Sequence, residues 1–254
     1  MATNDLLSRE VSHPGSTRRD LEYTVDGALM RGHVVEPAST PEGATAVLVL
    51  PDAYGAGEDM LAVADRLTAL GHPVLVADVW GERAEPTSPE EFGPMIGGLA
   101  GDRETWLARV RAARAQLDEQ PETAGRPVCL LGFCFGGSGA LEYLRTGGDA
   151  DGVVSVHGGL DLLADDWSAH GSASVLLCTG EEDPMATAAQ REALTGSLED
   201  AGLDWQLHVY SDTVHAFTSP RAAAHPHPGV TAYSARATER SWAALTQLLA
   251  ELDA

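Results

Sequence analysis

Residues Val128 to Ala140 have the sequence VCLLGFCFGGSGA, and this stretch decides the fold. An apolar strand is predicted to end at Leu131, and residues 132–136 then have the form G-x-C-x-G before a helix that begins with small residues. In this motif the nucleophile lies on a strained strand-to-helix turn, with Cys134 here in the place usually taken by serine. Two alternatives remain open: a glycine-rich turn around a buried cysteine, or a phosphate-binding loop. The second is weakened because no G-x-G-x-x-G or GK[ST] motif follows the first strand.

Short apolar runs on both sides of this motif predict strands that are buried on both faces. They alternate with segments of helical period, of which Trp106, Val110, Ala113 and Leu117 form one stripe. Alternation of strands and helices predicts a parallel sheet, here of about six strands, with helices on both faces. Asp26-Gly27 is a hairpin turn signal between two apolar segments, so an antiparallel hairpin is expected at one edge of the sheet.

The composition limits the domain organisation and the partners. The 254 residues suit one domain over 21–254, preceded by an N-terminal arm over 1–20. The 16 basic and 38 acidic residues give a formal charge of −22, which disfavours nucleic acid and anionic membrane surfaces. No apolar run approaches the roughly 20 residues of a membrane span, and residues 1–20 contain no apolar signal segment. Three cysteines without a CxxC motif argue against disulfides and a metal site, so a reducing cytoplasm is expected.

The strand-to-helix turn around Cys134 is called a nucleophile elbow, and in such proteins the nucleophile is followed in the chain by the acid and then by the base. Two further residues follow predicted strands in this order. Asp183 comes soon after the strand at 175–178, and we expect it to be the acid of a triad, with Glu181 and Glu182 as weaker substitutes. His215 lies in the loop after the last predicted strand, at 205–210, and is the expected base. His157 also follows a strand, where it either lines the pocket or is a satisfied histidine at the strand end.

These motifs resemble the dienelactone hydrolase family. The most specific pieces are GFCFGG at 132–137, GEEDP at 180–184 and VHAFTSP at 214–220, within a resemblance that runs from about residue 21 to residue 249. The resemblance implies an α/β-hydrolase fold, a mostly parallel sheet, no cofactor, and a monomer or weak homodimer. It makes Cys134 the nucleophile, His215 the base and Asp183 the residue that orients the base.

The resemblance also implies roles around the triad. Asp52 stands where the family has a glutamate that helps to activate the thiol, and the Ala53 and Phe135 amides would form the oxyanion hole. The family binds a substrate carboxylate with two arginines; Arg83 is offered for the first, shifted by a residue. The second falls on Ser219, so Arg221 is the nearest candidate, with a surface cation as its alternative. Aromatic side chains that either line the pocket or only pack in the fold are Tyr54, Trp80, Phe133, Phe135 and Phe217.

The expected activity is hydrolysis of an activated ester or a dienelactone-like lactone through an acyl-thiolate intermediate. Three alternatives use the same cysteine. They are a broad carboxylesterase or thioesterase for neutral substrates, a biosynthetic cyclase or acyltransferase, and a reactive-thiol binding protein without turnover.

Overall fold

One eight-stranded sheet forms the centre of the molecule. The structure is a computed structural model, and it describes residues 16–253. The strands are β1 (Thr17–Val25), β2 (Ala28–Glu36), β3 (Ala46–Leu50), β4 (Val74–Val76), β5 (Val128–Phe133), β6 (Gly152–Val156), β7 (Ser174–Gly180) and β8 (Asp204–Tyr210). The helices are α1 (Glu58–Thr68), α2 (Pro89–Gly101), α3 (Arg103–Glu119), α4 (Phe135–Arg145), α5 (Ala188–Asp200), α6 (Pro220–Ala224) and α7 (Ala235–Leu252), with a 3-10 turn at Leu160–Leu162.

The strand order is β1-β2-β4-β3-β5-β6-β7-β8. From β4 to β8 all neighbours are parallel, whereas β1 and β2 form an antiparallel hairpin that joins the edge of the sheet through β4. The predicted six parallel strands and the edge hairpin are therefore confirmed. In such a sheet the carboxyl ends of the parallel strands meet at one edge, where α/β proteins place their sites.

The hairpin begins earlier than the sequence indicated. Strand β1 starts at Thr17, so the last four residues of the expected arm belong to the sheet, while residues 1–15 lie outside the described part of the chain. Arg18 and Arg19 pair with Asp65 and Glu122, and these contacts hold the start of β1 against the domain. The pattern of charged residues before Leu21 hid this start, because an edge strand can expose polar side chains on its open face.

Helices cover both faces of the sheet. Side chains of α3, α4 and α5 pack on one face and those of α1 and α7 on the other. The stripe from Trp106 to Leu117 is buried as predicted. Helix α2 was not predicted, because its sequence PEEFGPMIGGLAG is rich in glycine and proline. None of the described helices is both long enough and apolar enough to cross a bilayer.

The elbow depends on two glycines. A Cβ on Gly132 would clash with the carbonyl group of Gly136, and a Cβ on Gly136 would clash with the carbonyl group of Leu50. The strand and helix can therefore approach each other only with hydrogen in both places. This close approach fixes Cys134 between them at the carboxyl edge of the sheet.

Candidate active site

Cys134 has a backbone conformation that non-glycine residues rarely adopt, with φ 50° and ψ −117°. The turn is held on both sides: the Cys134 amide donates to the carbonyl of Val156, and its own carbonyl accepts from the amides of Gly137 and Ser138. Because β5 pairs with β6 and α4 begins at the next residue, sheet and helix together maintain this strained geometry. The thiol is half-buried at the start of α4, where the positive end of the helix dipole favours a negative charge.

His215 joins the thiol to Asp183. Its Nε2 lies 3.1 Å from Cys134 Sγ, and its Nδ1 lies 2.9 Å from Asp183 Oδ2. Asp183 Oδ1 accepts the Met185 amide, so the carboxylate is oriented before it meets the imidazole. His215 and Asp183 are each only 2% exposed, whereas Glu181 and Glu182 are exposed. Asp183 is therefore the carboxylate that contacts the histidine.

The electrostatics of His215 follow from this chain of contacts. Burial lowers its pKa, but the Cys134 thiolate and the hydrogen bonds to Asp183 and Cys134 outweigh burial and raise the pKa to about 10. An imidazolium and a thiolate thus stabilise each other.

The two amides predicted to form the oxyanion hole, those of Ala53 and Phe135, lie at the same edge of the sheet as Cys134. Phe135 is the first residue of α4, so its amide has no acceptor within the helix. Ala53 lies just beyond β3, in a turn where Gly55 donates to the Asp52 carbonyl. Since β3 is the parallel neighbour of β5, the turn and the elbow extend from adjacent strands at the same edge of the sheet. The role of these two amides as an oxyanion hole stays a prediction.

A family model supplies the comparison that identifies the chain. The model of the dienelactone hydrolase family matches residues 30–252, which include the elbow, the acid turn and the histidine loop. The chain belongs to the dienelactone hydrolase family.

The chain is similar to several members and relatives of the family. A probable 2-oxo-3-(5-oxofuran-2-ylidene)propanoate lactonase from Bradyrhizobium sp. is 26% identical over 182 residues, which cover 68% of this chain and 73% of the lactonase. A dienelactone hydrolase-like promiscuous phosphotriesterase from metagenomic libraries is 33% identical, with a TM-score of 0.87 over 94% of this chain and 99% of that structure. A Klebsiella pneumoniae protein described as a dienelactone hydrolase shares the fold, at 17% identity and a TM-score of 0.77 over 92% and 98% of the two chains.

In this dienelactone hydrolase family member, Asp52 is buried beside the triad. Its Oδ1 accepts the Tyr54 amide at 2.9 Å, and burial raises its pKa to about 6. Arg221 lies near it: Nε donates to Asp59 Oδ2 at 2.8 Å, and the guanidinium lies 4.6 Å from the centre of the Tyr54 ring. No hydrogen bond between the described residues connects Asp52 to Cys134. Any effect of Asp52 on the thiol therefore acts through charge.

Arg83 does not accompany the family site as the sequence suggested. Its guanidinium donates to the carbonyls of Arg31 and Gly32 and to Asp20 at 2.8–3.0 Å, all in the edge hairpin. Its backbone has φ 54°, a left-handed conformation that directs the side chain toward the hairpin. Asp78 fixes this turn by accepting the Arg83 amide at 2.7 Å. The structure thus assigns Arg83 to the fold, against its predicted role in binding substrate.

Two of the aromatic candidates are packing residues. The Trp80 ring stacks on Phe135 with centroids 5.0 Å apart, and Trp106 stacks on the same phenyl ring. Phe217 is fully buried and packs edge-on against Tyr210. Of these aromatic side chains, Tyr54 remains half-buried beside Arg221. The Phe135 ring belongs to the core, and the role of its amide in the site stays a prediction.

His157 packs behind His215. It is 1% exposed, with φ 41°, and its ring lies 5.2 Å from the His215 ring. Nε2 meets Thr218 Oγ1 at 2.8 Å, whereas Nδ1 has no hydrogen-bond partner in the described structure. Burial and the charge of His215 hold the pKa of His157 well below its usual range, so it is neutral. The sequence analysis did not identify Thr218 as a partner of His157, although Thr218 lies only three residues after His215.

Proposed function

We propose that this family member hydrolyses activated esters and lactones, with the Cys134 thiolate as nucleophile. The carrying observation is the continuous chain of contacts from Cys134 Sγ to His215 (3.1 Å) and from His215 to Asp183 (2.9 Å). The buried, oriented carboxylate supports the role of Asp183 in positioning the imidazole and stabilising its protonated form.

In the first half-reaction the thiolate attacks the carbonyl carbon and forms a C–S bond. The carbonyl electron pair moves to oxygen, where the Ala53 and Phe135 amides stabilise the negative charge. As the oxygen re-forms its double bond, the C–O bond to the leaving group breaks. The leaving alkoxide or enolate takes the proton that His215 had accepted from the thiol. In a lactone this leaving oxygen remains attached to the acyl group.

In the second half-reaction water replaces the leaving group. His215, now neutral, removes a proton from water while its oxygen attacks the acyl-thiolate carbon. The C–S bond then breaks, the thiolate returns to Cys134, and the carboxylic acid product leaves. Since a thiolate is a weaker base than an alkoxide, expulsion of a poor leaving group from the first intermediate competes badly with return of the thiolate. Activated esters and enol-lactones are therefore the preferred substrates.

The cation beside the site supports an anionic substrate. Arg221 lies over the Tyr54 ring and shares its charge with Asp59. The net charge of −22 repels anions at long range, so a local cation is needed to bind one. The similar Bradyrhizobium protein is described as a lactonase for a substrate named as a propanoate, which fits this proposal.

The test is steady-state hydrolysis of cis- and trans-dienelactone and of phenyl acetates graded by leaving-group pKa. We expect turnover of the lactone and the activated esters, with a rate that falls as the leaving group becomes more basic. Cys134→Ala should abolish turnover, and intact-protein mass spectrometry should detect the acyl adduct on wild type only.

Cys134→Ser is the matched variant, because it keeps the shape of the site and changes the nucleophile. It should fold like wild type and lose most activity, since a serine hydroxyl is harder to ionise. Unchanged turnover in Cys134→Ala, or equal rates for all leaving groups, would reject the thiolate mechanism. A phosphotriester in the same panel checks whether the site shares the promiscuity described for the 33% identical structure.

A further inference from the structure

A cavity lies near the Cys134, His215 and Asp183 side chains, between helices α1 and α7; it is called the α1–α7 cleft below. The centre of a water-sized molecule can move through about 40 Å³ of it, so the cavity has room for a slender ligand. Its walls are mainly apolar and include Met60 and Val63 from α1, Trp242 and Leu245 from α7, and Phe133 and Val156 from the ends of the central strands. Neither Cys134 nor His215 lines it, so the proposed reaction makes no use of this cleft.

The inner end of the α1–α7 cleft contains a buried polar side chain without a hydrogen-bond partner. Ser219 is 6% exposed and lines the cleft, and its Oγ has no hydrogen-bond partner in the described structure. A buried hydroxyl without a partner costs free energy, which a ligand group can recover. The Asp52 carboxyl lines the same end of the cleft, and Asp59 lies close by on α1. A hydroxyl on a ligand fits this end because it can accept from Ser219 and donate to Asp52.

The outer end carries a cation. Arg66 lines the cleft, and its guanidinium lies 3.8 Å from the centre of the Trp242 ring. Among residues 16–253 it makes no hydrogen bond or ion pair, although Glu239 acts on it at longer range. The guanidinium is half-buried and remains charged at all ordinary pH values. A partly desolvated arginine without a partner is suited to binding a carboxylate.

The two ends are a defined distance apart. Asp59 and Arg66 are seven residues apart on α1, so they lie on the same helix face about 10 Å from each other. The apolar walls fill the interval. At the inner end Asp59 already pairs with Arg221, whereas Arg66 at the outer end has no ion-pair partner among the described residues. An anionic ligand is therefore favoured with its charge on Arg66.

We propose that the α1–α7 cleft binds a medium-length ω-hydroxycarboxylate. Its carboxylate pairs with Arg66, its apolar body packs on Val63, Phe133 and Leu245, and its hydroxyl meets Ser219 and Asp52. This inference stands on the cleft and its side chains and does not depend on the proposed reaction. Since Asp52 precedes Ala53 and Phe133 precedes Cys134, a bound ligand adjoins the catalytic edge. The same chemistry is found in the distal part of a long substrate or in a separate effector.

The test is isothermal titration calorimetry with 8-hydroxyoctanoate, octanoate and octanamide on the full chain. We expect saturable one-site binding of 8-hydroxyoctanoate, weaker binding of octanoate, and the weakest binding of the uncharged amide. Arg66→Gln should weaken binding of both carboxylates by about 10-fold to 100-fold. Ser219→Ala should remove the advantage of 8-hydroxyoctanoate over octanoate. Arg236→Gln, on an exposed position of α7, is the matched control and should bind like wild type.

A filled cleft provides an independent variant. Ala62 is half-buried and lines the cleft, so Ala62→Trp should occupy it and abolish binding even if Arg66→Gln fails to fold. Absence of saturable binding to wild type, or equal affinity in wild type and Ala62→Trp, would overturn the proposal. Hydrolysis of p-nitrophenyl acetate separates the two sources. A purely competitive effect of 8-hydroxyoctanoate indicates the distal part of a substrate, whereas a changed kcat indicates an effector.

Discussion

The two ends of helix α4 differ in how many partners their ionisable side chain has. Near its C-terminal end, the Glu142 carboxylate is completely buried and receives four hydrogen bonds, from Arg103, from Arg145 twice and from the Ala164 amide. At its N-terminal end, Cys134 is half-buried, and its thiol has one side-chain partner, His215. The Glu142 carboxylate is fully satisfied by hydrogen bonds, whereas the Cys134 thiol has a single side-chain partner.

This difference indicates how the helix divides its tasks. The Glu142 cluster connects α3 and α4 to the loop at 162–166, since Arg103 and Arg145 also donate to the carbonyls of Leu162 and Asp166. A helix anchored in this way can support a strained residue at its other end. The strain at Cys134 is maintained by the surrounding packing and not by its own side-chain contacts.

The largest effect is expected when His215 loses the carboxylate of Asp183. Asp183→Asn should lower kcat by roughly 10³-fold to 10⁴-fold, because an amide cannot stabilise the imidazolium or fix the required tautomer of His215. Steady-state kinetics on an activated ester gives the measurement, with thermal unfolding as a check on the fold. Glu182→Gln, at the exposed neighbouring carboxylate, should retain wild-type activity; a comparable loss there would move the acid role away from Asp183.

At the C-terminal end of α4, substitution of Glu142 should change stability and not activity. Glu142→Ala leaves Arg103 and Arg145 without their buried partner, so it should lower the free energy of unfolding by about 3 kcal/mol. Activity per folded molecule should not change. Asp118→Ala breaks an exposed i,i+4 pair with Arg114 and should cost less than about 0.5 kcal/mol. Urea denaturation of both variants tests the comparison, and equal losses would refute it.

Asp52 sharpens the comparison because it is buried without a strong partner. Burial raises its folded-state pKa from 3.8 to about 6. The stability that the protonated carboxyl contributes is therefore fully present below pH 3.8 and is lost as pH rises through about 6. Above that pH the ionised carboxyl costs stability, and Asp52→Asn should be about 2–3 kcal/mol more stable than wild type. The two should converge near pH 3.8. Urea denaturation across pH measures this, with the exposed Asp204→Asn as control; a pH-independent difference would contradict it.

The smallest effect concerns substrate charge. Arg221→Gln should raise KM for an anionic lactone by about 10-fold and leave a neutral ester within two-fold, because it removes a cation beside the site. Arg83→Gln is the matched variant, since its guanidinium donates to the hairpin. It should lower stability without changing the preference between the two substrates. The reverse result would return Arg83 to the role that the sequence suggested.

The triad is predictable because its spacing in sequence follows the fold. Cys134, Asp183 and His215 each come just after a strand, and parallel strands bring their carboxyl ends together whatever the intervening length. The glycines on either side of Cys134 carry the same information. Helix α2 is not predictable in this way, because Gly93, Gly97 and Gly98 are typical of a loop.

Side-chain direction was the main source of error. Arg83 follows two residues with positive φ, Gly81 and Glu82, and is itself left-handed. No feature of Glu82 or Arg83 signals that conformation, so the side chain was expected in the site. For Phe217 the sequence left pocket lining and core packing open, and the structure buries its ring completely.

The sequence by itself determined the sheet, the elbow and the placement of Cys134, Asp183 and His215 after successive strands, since periodicity and glycine placement act locally. The tertiary structure alone decided which cations reach the site and placed Arg66, Ser219 and Asp52 around one cleft. These residues are far apart in the chain and belong to different elements. Their proximity depends on how α1 and α7 pack across the sheet, and no local pattern encodes that packing.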